Sequence, residues 1–165
     1  MSYLIEIAVI FMLIVLNGIF AMSEFAIVSA RKARLQQRAE EGDAGAGTAL
    51  ALAERPTPFL STVQIGITLI GILAGAFGGA VIARGLEPLF QEMPALAGYS
   101  QVLSITLVAL AITYLTLIFG ELVPKRIALN KAEEIASVVA RPMQILSVVA
   151  APVVFVLSRS TEVVL

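Results

Sequence analysis

The sequence predicts an all-α integral membrane domain, with three transmembrane helices followed by a C-terminal interfacial helix. Three observations carry that expectation. Hydrophobic residues make up 59% of the 165-residue chain and charged residues 14%, against about half and about a quarter in an ordinary soluble domain. The mean hydropathy is +0.95. The charges also cluster, which leaves apolar runs as long as the about 20 residues a helix needs to cross a bilayer. One domain, residues 1–165, fits this length.

The first span is expected over residues 3–30. It is too long for a signal peptide, lacks a basic start, carries Glu6 and runs into Arg31, Lys32, Arg34 and Arg38 rather than a cleavage site. A helical loop over residues 31–57 follows. Residues 31–41 read as a charged continuation of the first span. Gly42, Gly45 and Gly47 read as its breakers, residues 49–54 as a second short helix, and Pro56 and Pro58 as the start of the next span. The second span is expected over residues 58–83 and the third over 102–123. The final segment, about 133–157, is apolar enough for a fourth span, but Arg141 and Pro142 sit in its middle and Pro152 interrupts it again. Ser137, Arg141, Gln144 and Ser147 fall on one helical face, with valines and leucines mostly elsewhere. An interfacial helix fits that pattern.

Basic residues set the orientation. They follow the first span and, as Lys125, Arg126 and Lys131, the third; the loop over 85–99 has none. The N-terminus is therefore expected outside, the 31–57 loop and the C-terminus in the cytoplasm, and the domain in the plasma (inner) membrane.

The chain contains no Cys and no His. Disulfides, thiol catalysis, most zinc, copper and haem sites and the commonest general base are thereby removed. No catalytic constellation remains, and an enzyme is not expected. No basic aromatic surface for nucleic acid is present either. The remaining oxygen donors suit hard cations such as Mg²⁺, Ca²⁺ and Na⁺.

Polar groups inside the spans are the candidates for function, because each is costly there unless partnered. Glu121 sits in Phe119-Gly120-Glu121-Leu122-Val123-Pro124-Lys125. Pro124 lacks an amide hydrogen and so frees the carbonyl of Gly120 four residues earlier. A freed carbonyl beside a carboxylate makes a plausible hard-cation site; a membrane-edge carboxylate paired with Lys125 or Arg126 is the alternative. The first span carries Asn17, Ser23 and Glu24, which read either as ion ligands or as hydrogen-bonding and ion-pairing groups. The second carries Ser61, Gln64, Gly66 and Thr68, then Gly71, Gly75 and Gly79 at four-residue spacing, a stripe that suits helix packing or a homodimer seam.

Three stretches together resemble the CorC/CNNM family transmembrane (DUF21) domain. They are Leu16-Asn17-Gly18-Ile19-Phe20-Ala21-Met22-Ser23-Glu24-Phe25-Ala26 with its Ser29-Ala30-Arg31 exit, Leu60-Ser61-Thr62-Val63-Gln64-Ile65-Gly66-Ile67-Thr68-Leu69, and Gly120-Glu121-Leu122-Val123-Pro124-Lys125. The resemblance covers nearly the whole chain. It implies three spans and a juxtamembrane belt helix, a homodimer in the lipid bilayer, and Na⁺-coupled Mg²⁺ export. It further implies that full-length members continue into a cytosolic CBS-domain pair that binds ATP, a region this chain does not contain. By position it implies a Mg²⁺ site at Ser23, Gly66, Thr68, Gly120 and Glu121. Asn17, Glu24, Gln64, Pro124 and Lys125 are candidates for Na⁺ coupling or for support of that site.

One departure stands out. Many members carry Gly-Asn-Asn in the second span; here the stretch is Gly66-Ile67-Thr68, and the later family Asn is Gly71. The amide ligands are missing, which opens a second reading, export of a polyamine such as putrescine or cadaverine. A third reading is a non-transporting anchor for a cytosolic sensor.

Overall fold

A computed structural model describes residues 2–78 and 82–164. Gly79 of the glycine stripe, and the stretch of the second span around it, lie outside the described residues. The described residues are mostly helical: α1 (Ser2–Ser29), α2 (Lys32–Glu40), α3 (Ala44–Glu54), α4 (Pro56–Phe77), α5 (Ala83–Gln91), a short 3-10 turn (Ala97–Tyr99), α6 (Ser100–Leu117), a π-helical segment (Ile118–Leu122), α7 (Val123–Asn130) and α8 (Ala132–Val164). Among the described residues four stretches are long and apolar enough to cross a membrane: Leu4–Ser29, Pro56–Phe77, Ala97–Asn130 and Ala132–Thr161. Contacts divide the chain into two compact units, Met1–Gly18 with Thr68–Val123, and Ile19–Ile67 with Pro124–Leu165.

In the first of these units, α5 packs along α6. Ser104 sits on the buried side of α6, where its hydroxyl donates to the carbonyl of Ser100 at 2.8 Å. That bond satisfies the hydroxyl within its own helix, so α6 can bury it without a partner elsewhere.

The second unit departs from the sequence expectation in three places. Residues 31–41 do not continue the first span. The chain breaks at Arg31, whose backbone is extended (φ −74°, ψ 115°). Its amide leaves the helical ladder and donates to a carboxylate oxygen of Glu133 at 3.3 Å. The second departure is at the glycines. Gly42, at φ 99°, is a true break that favours Gly, whereas Gly45 and Gly47 lie inside α3. Asp43 is the real punctuation. It caps α3 by accepting from the amides of Gly45 (2.9 Å) and Ala46 (3.0 Å). Gly45 is small for packing rather than for turning: a Cβ there would overlap the backbone carbonyl of Ser137 on α8. Third, α8 runs unbroken through Pro142 and Pro152. Its inner face, with Ala132, Ala136, Ala140 and Met143 buried, packs on α3. Its outer face is apolar, with Val138 76% and Val148 70% exposed.

Candidate functional site

The π-helical segment is the local irregularity around which one part of the site is built. At its end the amide of Val123 reaches back five residues to the carbonyl of Ile118, and the next residue, Pro124, has no amide hydrogen to offer. Such wide turns recur at functional positions. The carbonyl of Gly120, which Pro124 leaves without its α-helical donor, accepts from the side-chain amide of Asn17 at 3.0 Å. Gly120 is buried, and a Cβ there would meet Asn17 Nδ2 at 3.1 Å, the Ile14 carbonyl at 3.3 Å and a Thr116 methyl at 3.3 Å. A larger residue here would have to push these neighbours back by a few tenths of an ångström.

Asn17 is 6% exposed. Its amide nitrogen is used, while its carbonyl oxygen Oδ1 is buried with no hydrogen-bond partner. A buried acceptor left open in this way carries a desolvation cost of about 1–3 kcal/mol and is chemically free to meet a cation or a donor. Glu121, next to Gly120 in the chain, is half-buried, and Thr68 on α4 is exposed. A groove of about 340 Å³ between α4 and α6 is lined by Gly71, Gly75, Thr113 and Thr116 among others. Nothing lies within 4 Å of where a Cβ on Gly71 or Gly75 would sit, so this part of the stripe faces open space.

The remaining sequence candidates belong to the other unit. Ser23 is fully buried, and its hydroxyl donates to the Ile19 carbonyl of its own helix at 2.7 Å; its oxygen retains acceptor capacity. Glu24 is half-buried and Gln64 exposed. Gly66 lies against the Phe20 ring, where a Cβ would come within 2.6 Å of Cε1. Pro124 is buried at the start of α7. Lys125 places its ammonium 4.6 Å from the centroid of the Phe25 ring.

The structure thus joins Asn17 to Gly120 directly and gives Gly66 and Lys125 aromatic neighbours. Sequence reasoning singled out neither Phe20, Phe25 nor Thr116. The two phenylalanines flank Ser23 in the first-span stretch, which is the signal that could have drawn attention to them. Among the described residues no group of three or more His, Cys, Asp or Glu gathers as a metal cluster. The oxygen donors at the Asn17–Gly120 contact are instead an amide oxygen and main-chain carbonyls, the kind hard cations or ammonium groups use.

The chain resembles known proteins along nearly its whole length. The chain is 55% identical over 161 residues to UPF0053 protein sll0260 of Synechocystis, covering 98% of this chain and 36% of that protein. It is 33% identical to UPF0053 protein YhdP of Bacillus subtilis, over 96% of this chain and 36% of that one. The polyamine export protein of Escherichia coli is 32% identical over 91% of this chain, a region that makes up 33% of its own length. The chain spans about a third of the length of these relatives. The family profile described as cyclin M transmembrane N-terminal domain matches residues 8–165. With several helices fit to cross a bilayer, the chain is a multi-pass membrane protein and belongs to the cyclin M (CNNM) transmembrane N-terminal domain family.

Proposed function

We propose that this domain exports a small cation, Mg²⁺ in exchange for Na⁺. One observation carries the reading: an open, buried amide oxygen on Asn17 lies beside a buried main-chain carbonyl at Gly120, with the Glu121 carboxylate next in sequence. Buried oxygen acceptors with a carboxylate on the adjoining residue favour a cation with a demanding oxygen shell. Glu121 supplies the charge, and the π segment and Asn17 supply oxygens. Ser23, Gly66 and Thr68 are the further ligands that the family resemblance implies. Glu24, Gln64 and Lys125 are held for coupling and support. Mg²⁺ is cargo here and Na⁺ the returning ion.

In this reading α1, α4 and α6 through α7 are the spans. α8 lies along the cytoplasmic interface of the plasma membrane, with the N-terminus outside. The open face at Gly71 and Gly75 is the seam for a second copy.

A second reading, export of a polyamine, draws on two observations. The matching E. coli protein carries that name, and the second span offers Gly66-Ile67-Thr68 where amide ligands for Mg²⁺ would stand. The same carboxylate would then meet an ammonium group. Flux into liposomes under Mg²⁺, Na⁺ and putrescine gradients separates the two readings and also the non-transporting anchor, which moves none of them. Glu121→Ala is expected to abolish cation flux, a loss of more than about 100-fold, while the purified protein keeps its oligomeric state. Unchanged flux in that variant removes Glu121 from the mechanism.

A further inference from the structure

Phe25 near the end of α1 and Lys125 at the start of α7 are both half-buried, and the Lys125 ammonium stands over the Phe25 ring at 4.6 Å from its centroid. The negative face of an aromatic ring attracts a cation, most strongly one that has shed its water. The chemistry of this particular cation matters. A lysine side chain is four methylenes ending in a primary ammonium, so the ring already carries a tethered butylammonium group. A free diamine of the putrescine type presents the same four methylenes and the same ammonium. Mg²⁺ does not, because it gives up its water reluctantly and seeks oxygen ligands.

We propose that the Phe25 face is a binding site for a primary alkylammonium, kept filled by Lys125 and opened when a free amine takes its place. Phe25 is then a specificity-determining residue, and Lys125 an internal competitor that sets the amine concentration at which the face is occupied. The proposal deepens the polyamine branch of the functional reading, but it concerns binding and is tested as binding.

The test uses the full-length protein in lipid nanodiscs. Putrescine, butylamine and Mg²⁺ are titrated calorimetrically at fixed ionic strength. Lys125→Met keeps the length of the side chain and removes the competitor; putrescine and butylamine affinity should rise roughly fivefold. Removing a positive charge also helps any cation, so the decisive comparison is made in that background. Adding Phe25→Leu should return amine affinity to the starting value or below, while Mg²⁺ affinity changes less than about twofold. Lys125→Gln serves where the Met variant fails to fold. The proposal is overturned if neither Lys125 variant tightens amine binding, or if Phe25→Leu weakens amine and Mg²⁺ alike. Putrescine flux through the unaltered protein is measured separately. Its absence removes the polyamine export reading and leaves the affinity shifts to decide this one.

Discussion

Two glycines in this molecule do similar work in opposite surroundings. Gly120 lets the π segment close on the Ile14 carbonyl, and Gly45 lets α3 close on the Ser137 carbonyl. In each place one side chain satisfies backbone groups that the irregularity leaves exposed. Asn17 donates to the carbonyl of Gly120; Asp43 accepts from the amides of Gly45 and Ala46. The first arrangement is neutral and buried. The second is charged and open to solvent, with Arg38 paired to Asp43 at 3.0 Å. The difference separates a junction whose capping side chain is fully used from one that keeps an unused buried acceptor. The α3 junction spends Asp43 on capping α3 and on pairing with Arg38 of α2. The π segment leaves one acceptor, Asn17 Oδ1, unspent in a place where leaving it so is costly.

The largest expected effect follows from removing that side chain. Asn17→Leu deletes the donor to Gly120 and the open acceptor at once. The buried carbonyl is then stranded, which costs about 2 kcal/mol and should lower the thermal midpoint in detergent by several degrees. Cation flux should be lost. A variant that melts lower but transports normally would make Asn17 only a structural counterpart of Asp43 and erase the contrast.

Pro124→Ala sharpens the comparison from the other side. Alanine restores the amide hydrogen and the stronger helical preference, so the π segment can tighten into ordinary α-helix. Stability should hold or rise while flux falls roughly tenfold, because the oxygens of the segment shift out of register. Reconstituted flux measured beside thermal unfolding reads the two effects separately. Flux that stays level while stability rises would show that the wide turn has no part in transport.

The prolines also show what the sequence could and could not reveal. Pro124 was legible as the source of a freed carbonyl at Gly120. Its partner was not, because Asn17 lies 103 residues away in sequence and no local pattern links them. Pro142 and Pro152 read as interruptions, yet α8 passes through both. Those prolines are exposed and Pro124 is buried. A carbonyl freed at an exposed face can turn to water or headgroups, so the helix tolerates it; one freed in the interior needs a side chain. The apolar runs were readable because span length and hydropathy are properties of consecutive residues. The break at Arg31 was not, since no Gly or Pro marks it and its amide's partner, Glu133, is 102 residues away. Gly45 and Gly47 were misread as breakers because a glycine that permits close packing looks the same in sequence as one that permits a turn.

The smallest expected effect belongs to Asp43, and its pH dependence distinguishes the exposed junction from the buried one. The amide of Ala46, first among its partners, together with Arg38, Ser137 and Gly45, holds the Asp43 carboxyl below the ordinary aspartate value of 3.8, against a smaller opposing effect of desolvation. A carboxylate whose folded value is depressed lends stability above its unfolded value. That contribution fades as pH falls through the folded one. Acidification below about pH 3.8 should therefore loosen the α3 junction, read as faster amide exchange at Gly45 and Ala46, and Asp43→Asn should abolish the pH dependence while keeping much of the cap. The drop in thermal midpoint at neutral pH should be less than about half that of Asn17→Leu, since solvent screens the exposed pair. Cation flux should not change. A fall in flux with Asp43→Asn would show that Asp43 does more than cap α3.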